Sequence, residues 1–235
     1  MSLTIKNNVG MIGYGRFGKV LADMLRPHFP VTIYDKNQSL DSLDTVLAAD
    51  TLFIAVPIRH FEETINSIAP RLQRGTTLID VCSVKLHPVS VMKNYLSNEI
   101  DIIATHPLFG PDSIHERKNL KIVMHSVRDT YSRYPFWKNF FSQQHLSIIE
   151  MSPEEHDRYA AVSQSITHFI GRCLQETNAQ STPIDTIGFK QLLSVMEQTC
   201  HDSIELFGDL LHYNPYSSKA IDALLRAALQ CQPTH

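Results

Sequence analysis

The sequence predicts an α/β protein, with a doubly wound, mostly parallel sheet over residues 1–150 and a second, all-α domain over residues 151–235. Three observations predict this fold class. Short apolar runs alternate with amphipathic stretches up to residue 150, several of these runs are apolar on both faces, and strand-like runs stop after Glu150. Strands that alternate with helices form βαβ units, and strands buried on both faces are typical of a parallel sheet covered by helices.

The elements of the first domain follow from the positions of the apolar runs. The predicted strands are Val9–Ile12, Val31–Tyr34, Leu52–Val56, Leu78–Cys82, Ile100–Ala104, Lys121–Met124 and Leu146–Ile149. Two amphipathic stretches between them, Arg16–Arg26 and Phe61–Leu72, are predicted helices. Right-handed crossovers between the parallel strands give the doubly wound arrangement.

The second domain opens with a helix start signal. Ser152 is the predicted N-cap, Pro153 takes the first helical position, and Glu155 completes a capping box. Apolar residues at helical spacing are expected to form the buried stripe of this helix: Val162, Ile166, Phe169, Ile170 and Cys173.

Two further helices are predicted. Thr182-Pro183-Ile184-Asp185 repeats the start signal, and the helix that it opens is expected to run on to a break at Asn214-Pro215. Its apolar residues are Leu192, Met196, Leu206 and Leu210, and those of the last helix are Ile221, Leu224, Leu225, Ala228 and Leu229. Three helices give a small core for so much apolar surface, so we expect a homodimer that packs through these C-terminal helices.

Composition narrows the class of partner. A net charge of −3 over 235 residues provides no basic excess for nucleic acid or for an anionic membrane surface. No apolar run approaches the roughly 20 residues that a membrane span needs. The four cysteines are scattered, and the N-terminus lacks a signal-peptide pattern, which favours a cytoplasmic protein with reduced thiols. We expect a small-molecule partner.

A glycine-rich turn joins the first strand to the first helix. Gly-Tyr-Gly-Arg-Phe-Gly at 13–18 places Gly13, Gly15 and Gly18 at the spacing of a dinucleotide-binding loop, with Arg16 and Phe17 inside it. Gly13 permits the tight turn, Gly15 lets a pyrophosphate approach the backbone, and Gly18 lets the helix close on the strand. This context predicts a Rossmann-type nucleotide site with phosphate at the helix N-terminus.

The cofactor is expected to be NAD rather than NADP. Asp35 ends the second strand, 22 residues after Gly13, where its carboxylate would accept hydrogen bonds from ribose hydroxyls and repel a 2′-phosphate. Lys36 is the counter-argument, since a cation there could tolerate that phosphate. Pro57, after the third strand, lies at the same carboxyl edge of the sheet and is a further predicted cofactor contact.

His106 is the predicted catalytic residue, and Ser83 lies at the same carboxyl edge of the sheet. Ser83 follows the fourth strand, and its alternative role is the N-cap of the next helix. His106 follows the fifth strand, and Pro107 restricts its backbone to extended angles before Gly110-Pro111 turns the chain. An imidazole at this edge can take a proton from a substrate hydroxyl while a nicotinamide takes hydride from the same carbon. No metal site is expected, because neither His-x-x-x-His nor Cys-x-x-Cys occurs.

Several motifs resemble the prephenate and arogenate dehydrogenases of tyrosine biosynthesis. These are the glycine loop, Ser-Val-Lys at 83–85, Thr-His-Pro-Leu-Phe-Gly-Pro-Asp-Ser at 105–113, Glu-His-Asp at 155–157 and Ser-Gln-Ser-Ile-Thr-His-Phe at 163–169. The resemblance covers almost the whole chain in order. It implies a Rossmann-type domain, a helical dimerisation domain and a substrate site between them.

The resemblance also implies a reaction, the oxidative decarboxylation of a cyclohexadienol. In this reaction the ring carbon that bears the hydroxyl gives hydride to the cofactor, and the ring carboxylate leaves as carbon dioxide. His106 matches the residue that accepts a hydrogen bond or proton from the hydroxyl, and Ser83 matches its hydrogen-bonding partner. His168, with Gln164 near it, matches the second histidine that faces the substrate, and its alternative role is a core histidine.

One departure affects the choice between prephenate and arogenate. Part of the family uses an arginine on the next helix to bind a substrate carboxylate, and this chain has no arginine between Arg172 and Arg226. Lys190 is the nearest cation in that stretch, and lysine lacks the planar fork of arginine. Prephenate is the leading substrate and arogenate the close alternative. A β-hydroxyacid or imine reductase and a non-catalytic nucleotide sensor are the competing interpretations.

Overall fold

A computed structural model describes residues 8–38, 40–110 and 120–232 of the chain. It divides into two compact units, Met1–Pro153 and Glu154–His235. Pro111, the second half of the predicted turn after Gly110, lies outside the described residues, as do the other residues of 111–119.

The first unit is built on a seven-stranded sheet of order β2-β1-β3-β4-β5-β6-β7. The strands are β1 Val9–Ile12, β2 Val31–Tyr34, β3 Thr51–Ile54, β4 Thr77–Asp80, β5 Asp101–Pro107, β6 Lys121–Arg128 and β7 Ser147–Glu150. All neighbours are parallel except β5 and β6, which are antiparallel. The predicted doubly wound, mostly parallel sheet is therefore confirmed.

Helices connect these strands. They are α1 Arg16–Leu25, α2 Leu43–Leu47, α3 Phe61–Ile68, α4 Leu86–Tyr95 and α5 Tyr134–Gln143. Strands β1, β3, β4 and β5 are buried along their whole length, which explains why their sequences are apolar on both faces. The predicted helix Phe61–Leu72 is shorter than expected, because a 3₁₀ turn containing Pro70 takes over at Ala69.

The chain reverses its winding direction at β1. Strand β2 lies on one side of β1 and strand β3 on the other, so the connections leave a crevice at their carboxyl ends. Ligands of doubly wound sheets bind in such a crevice. Strand β5 extends beyond the prediction, which ended at Ala104, and now includes His106 and Pro107.

The second unit is helical in its described residues. It contains α6 Pro153–Ala160, a π-helical turn Ala161–Ser165, α7 Ile166–Glu176, α8 Ile187–Cys200, α9 Ile204–Tyr213 and α10 Ser217–Gln230. The first of these begins at Pro153, as the start signal predicts.

The predicted second helix is wrong in two respects. Thr182 does not begin a helix, because the Asp185 carboxylate accepts hydrogen bonds from the Thr182 N–H and hydroxyl and closes a local turn. Helix α8 begins at Ile187 with Thr186 as its N-cap. The helix is also not continuous to Asn214, since it ends at Cys200 and Ser203 caps a new helix, α9.

The stripe predicted to be buried on the first helix is only partly buried in the single chain, because Ile166, Phe169 and Ile170 are half-buried. Val162 is 61% exposed, and Cys173 is also exposed. The fully buried residue of α7 is Gly171, which lies directly against Thr199 of α8. The apolar side chains of this unit therefore remain available at its surface.

Candidate active site

The glycine loop lies in the crevice between β1 and β3. Gly13 has a φ of +101°, a left-handed angle that glycine adopts at little cost. A Cβ at Gly13 would lie 2.4 Å from the carbonyl oxygen of Ala55, so the loop touches the end of β3 here. The Gly13 N–H donates to the carbonyl of Tyr34, the last residue of β2, at 2.9 Å. Only glycine fits this position without a shift of the backbone.

The start of α1 has the features of an anion site. Gly15 is the N-cap residue, and a Cβ built on it would meet nothing within 4 Å, so the backbone is open to a ligand. The first turn of α1 carries no acidic side chain, and no side chain caps its amide groups. Gly18 closes the helix onto the loop, with its Cβ position 2.5 Å from the Gly13 carbonyl oxygen. The N–H groups at this helix start and the positive end of the helix dipole fit a pyrophosphate.

Asp35 directly follows β2 and is hydrogen-bonded to this loop. Its carboxylate accepts hydrogen bonds from the N–H groups of Tyr14, at 2.8 Å, and Asn37, at 2.9 Å. The first of these bonds ties the end of β2 to the glycine loop. An ionised carboxylate has about four acceptor positions, so two remain for ribose hydroxyls. Lys36 is exposed beside it.

Two phenylalanines join the glycine loop to the segment that contains His106. The rings of Phe17, in α1, and Phe109, three residues after His106, have their centroids 6.0 Å apart. Strand β5 is separated from β1 by β3 and β4, which amounts to roughly 14 Å across the sheet at the usual spacing of strands. The chain after β5 therefore runs along the carboxyl ends of the strands towards the glycine loop. Phe109 is buried, so this contact is part of the core.

His106 and Ser83 leave the same edge of the sheet from adjacent strands. Asp80 of β4 is the register partner of Ala104 of β5, so Ser83 and His106 lie three and two residues beyond a paired position. His106 is 6% exposed. Ser83 is half-buried in the loop after β4, and it is not the N-cap of α4, because that helix begins at Leu86 with Lys85 at the cap position.

A buried ion pair is bonded to the residues that directly precede these two. The Lys85 ammonium donates to the Asp80 carboxylate and to the Thr105 carbonyl. All three residues are almost fully buried, and Lys85 is only 1% exposed. Burial raises the pKa of Asp80, while the charge of Lys85 and hydrogen bonds from Lys85 and two backbone N–H groups act in the opposite direction. Asp80 is thus a satisfied buried carboxylate, as its position in the strand suggests.

The remaining predicted cofactor residues lie near the glycine loop. Pro57 follows β3 and precedes the 3₁₀ turn Ile58–His60. Arg16 is exposed in the first turn of α1, and Phe17 is half-buried. Pro57 is two residues after Ala55, whose carbonyl oxygen lies against Gly13.

In the second unit, Gln164 and His168 occupy an irregular helical segment. Gln164 lies in the π-helical turn Ala161–Ser165, and π-helical turns occur frequently at functional sites. His168 lies in the first turn of α7. Its Nδ1 atom is buried without a hydrogen-bond partner among the described residues. Burial lowers the pKa of His168, the Arg172 charge lowers it further, and the Asp202 charge acts in the opposite direction.

Cations of this unit differ in how firmly they are held. The Arg172 guanidinium donates to the Asp202 carbonyl, and to the Thr199 carbonyl at 3.3 Å, and it lies over the Phe207 ring. Arg172 is therefore committed to the C-terminal end of α8. Lys190 is exposed in the first turns of α8.

His156 differs from its expected environment. Its sequence context suggests a solvated residue in a first helical turn, but His156 is 3% exposed. Its Nδ1 atom lies 2.7 Å from the Asp157 carboxylate, which is itself fully buried. The sequence pattern misled because both neighbours of His156 are acidic, a composition that usually marks a solvated turn.

The described residues show neither a metal cluster nor a membrane-spanning helix. Within residues 8–38, 40–110 and 120–232, no group of three His, Cys, Asp or Glu side chains is arranged to hold a metal ion. In the same ranges, no helix combines the length and apolar character needed to cross a membrane.

The comparisons with known proteins match both units. The model of "Prephenate dehydrogenase, nucleotide-binding domain" matches residues 31–119, and that of "TYRAAT1-like, C-terminal domain" matches residues 173–231. Arogenate dehydrogenase 2, chloroplastic, of Arabidopsis thaliana is 34% identical over 92% of this chain. The chain belongs to the prephenate and arogenate dehydrogenase family.

The family members differ from this chain in length. The chain spans 66% of that Arabidopsis protein and 37% of Arogenate dehydrogenase 1, chloroplastic, to which it is 33% identical over 91% of its own length. The crystal structure of prephenate dehydrogenase from A. aeolicus, in complex with hydroxyphenyl propionate and NAD⁺, has the same fold. Its TM-score is 0.75 at 21% identity, and the match covers 98% of this chain and 90% of that one.

Sequence reasoning missed two features of the first unit and one of the second. The Asp80–Lys85 pair, the π-helical turn and the Phe17–Phe109 contact all depend on which residues meet in space. For the ion pair one signal existed, since a charged residue inside an otherwise apolar strand needs a buried partner.

Proposed function

We propose that this dehydrogenase-family chain catalyses the NAD-dependent oxidative decarboxylation of a cyclohexadienol of the prephenate and arogenate type. The Phe17–Phe109 contact, at 6.0 Å, is the observation that carries the proposal. It joins the helix that begins at the phosphate site to the segment that begins at His106. A dinucleotide anchored at Gly15 would thus extend along a sheet edge on which His106 also lies.

NAD fits the residues of the first unit. The open backbone at Gly15 would receive the pyrophosphate, and Asp35 would accept hydrogen bonds from the adenosine ribose. The carboxylate would lie close to a 2′-phosphate, which favours NAD over NADP. When bound, the nicotinamide supplies the hydride acceptor.

His106 would act on the substrate hydroxyl. Its imidazole accepts a hydrogen bond or the proton from the hydroxyl, which favours departure of hydride from the same carbon. Loss of carbon dioxide from the ring carboxylate then leaves an aromatic phenol. Ser83, at the adjacent strand end, would donate or accept a hydrogen bond that orients the same hydroxyl. A base held in this way contributes about 10²–10⁴ in rate.

The second unit would supply substrate contacts from His168, Gln164 and Lys190. The buried Nδ1 atom of His168 has an unused hydrogen-bonding position, and its neutral form is favoured at physiological pH because burial lowers its pKa. A neutral imidazole can either donate or accept a hydrogen bond. Lys190 is the exposed cation nearest in sequence to the position of the family's arginine.

Arogenate is the substrate that this set of cations favours. Prephenate carries a keto group where arogenate carries an ammonium group, so prephenate has one more net negative charge. Arg172 is held by backbone carbonyls, and Lys190 cannot form the bidentate pair that arginine forms with carboxylate. The two Arabidopsis relatives at 34% and 33% identity are also named arogenate dehydrogenases.

A steady-state assay tests the proposal. NADH formation is measured with arogenate and with prephenate, each with NAD and with NADP, and the kcat/KM values are compared. We expect the highest value with arogenate and NAD. His106→Asn should lose turnover by about 10²–10⁴ and keep its affinity for NAD. NAD binding without NADH formation from either substrate would instead favour a nucleotide sensor.

We also propose that the chain forms a homodimer through its C-terminal helices. The second unit exposes apolar side chains to water in a single chain, which is unfavourable, among them Ile184, Ile187 and Leu229 at 88%, 79% and 66% exposure. Light scattering should give twice the chain mass of 26.7 kDa. Ile187→Lys should shift the protein towards monomer, whereas Leu40→Lys in the first unit should not. A monomeric wild type at micromolar concentration would contradict the proposal.

A further inference from the structure

The Asp80–Lys85 pair is an unusual feature for a strand end. Both side chains are removed from solvent, at 0% and 1% exposure. A buried ion pair is weak evidence for stability, because desolvation of the two charges offsets their attraction. Burial raises the pKa of Asp80, and the charge of Lys85 acts in the opposite direction. A role other than stability would account for the pair.

The hydrogen bonds of the pair lead to the two proposed catalytic residues. Asp80 accepts from the Cys82 N–H at 3.1 Å, and Cys82 directly precedes Ser83. The other oxygen of Asp80 accepts from the Thr105 N–H at 3.3 Å, and Thr105 directly precedes His106.

Thr105 is fixed by two further hydrogen bonds. Its hydroxyl donates to the Asp80 carbonyl at 2.6 Å, and its own carbonyl accepts from the Lys85 ammonium. Every polar atom of Thr105 is therefore bonded to Asp80 or Lys85. The pair sets the backbone position from which each catalytic side chain leaves the sheet.

We infer that Asp80, Lys85 and Thr105 are positioning residues, which hold Ser83 and His106 at a fixed separation for reaction with one substrate hydroxyl. This inference rests on the proposed function, because it takes Ser83 and His106 as the residues that contact the hydroxyl. The paired register of β4 and β5 ends at Asp80 and Ala104, so bonds other than this ladder must fix the position of Ser83 relative to His106. A displacement of about 1 Å can reduce a rate by about 10²-fold.

The first experiment changes Thr105 alone. Thr105→Val keeps the shape of the side chain and removes the hydroxyl that bonds Asp80. We expect kcat to fall about tenfold or more, with KM for NAD and the dissociation constant of NADH unchanged. Thr105→Ser keeps the hydroxyl and should restore most of the turnover.

Thr77→Val is the matched control. Thr77 lies at the other end of β4, is equally buried, and has a side-chain oxygen without a partner among the described residues. The same substitution there should leave kcat unchanged. Equal effects of Thr77→Val and Thr105→Val would overturn the inference.

The second experiment separates positioning from stability. Lys85→Met leaves a buried unpaired carboxylate and should lower the melting temperature by about 10 °C. Adding Asp80→Asn removes that charge and should restore most of the melting temperature. We expect kcat of the double variant to stay about 10²-fold low at a temperature where it is fully folded. Recovery of kcat together with stability would overturn the inference.

Crystal structures of the wild type and the Thr105→Val variant give a readout that does not need turnover. We expect the separation of the Ser83 Oγ and the His106 ring to change, or the His106 segment to become less ordered. Unchanged positions would overturn the inference, whether or not the wild type is active. Wild-type inactivity with both substrates would contradict the proposed function alone.

Discussion

Gly13→Ala and Gly15→Ala make the same chemical change at two positions of one loop, and the structure predicts opposite consequences. At Gly13, where φ is +101°, an alanine costs about 1–2 kcal/mol in backbone conformation. Its Cβ would also lie 2.4 Å from the Ala55 carbonyl oxygen, and relief of that overlap costs about 1–3 kcal/mol. The free energy of unfolding should fall by about 3 kcal/mol, which lowers the melting temperature by about 10 °C.

At Gly15 the fold tolerates a side chain and the cofactor does not. The backbone has a φ of −72°, which any residue adopts, and a Cβ meets no atom within 4 Å. Stability should therefore change by less than about 1 kcal/mol. The methyl group would keep the pyrophosphate from one or two N–H groups, each worth about 1.5–3 kcal/mol to a charged acceptor. The dissociation constant of NADH should rise by about 10²-fold.

Thermal unfolding and a fluorescence titration with NADH check both variants. We expect Gly13→Ala to lose stability and Gly15→Ala to lose cofactor affinity. If Gly15→Ala bound NADH as tightly as the wild type while remaining folded, the pyrophosphate would not lie at the start of α1.

Three further predictions concern single residues. Asp35→Asn should lower kcat/KM with NAD by about tenfold and raise it with NADP, because one charged acceptor of ribose and one source of repulsion are lost; an unchanged ratio would refute this role. His168 has a lowered pKa in the folded state, so the unfolded state binds its proton more tightly and the free energy of unfolding should fall as the pH drops below about 6.5. Urea unfolding at several pH values checks this, and His168→Gln should flatten the slope. Gly171→Ala should cost about 1–3 kcal/mol, because its Cβ would lie 1.9 Å from the Thr199 hydroxyl, and Thr199→Ala in the same chain should recover part of the loss; additive losses would refute this reason.

The sheet of the first unit could be predicted from the sequence because its strands carry a local signal. Strands β1 and β2 have the predicted bounds, Val9–Ile12 and Val31–Tyr34. Continuous apolar runs between turn residues mark a buried parallel strand, whatever its neighbours are. The end of β5 was harder to predict, because a proline such as Pro107 usually ends a strand. Here the antiparallel partner β6 extends the pairing to Pro107.

The helices of the second unit were less predictable, since their signals depend on contacts. Thr182-Pro183-Ile184-Asp185 has the composition of a helix start, but the Asp185 side chain competes for the Thr182 N–H and forms a turn. Apolar periodicity also cannot distinguish a surface buried in one chain from a surface buried between two. Val162, at 61% exposure, belongs to the stripe that the periodicity assigns to the interior.

The central claim is that the imidazole of His106 and the nicotinamide act on one substrate carbon. The most direct measurement is a crystal structure of the protein with NAD and a para-hydroxyphenyl product such as tyrosine. We expect the phenol oxygen within hydrogen-bond distance of the His106 ring, about 2.6–3.2 Å, and the carbon that bears it facing the nicotinamide. A His106 ring that points away from the bound phenol, with NAD seated at the glycine loop, would contradict the claim.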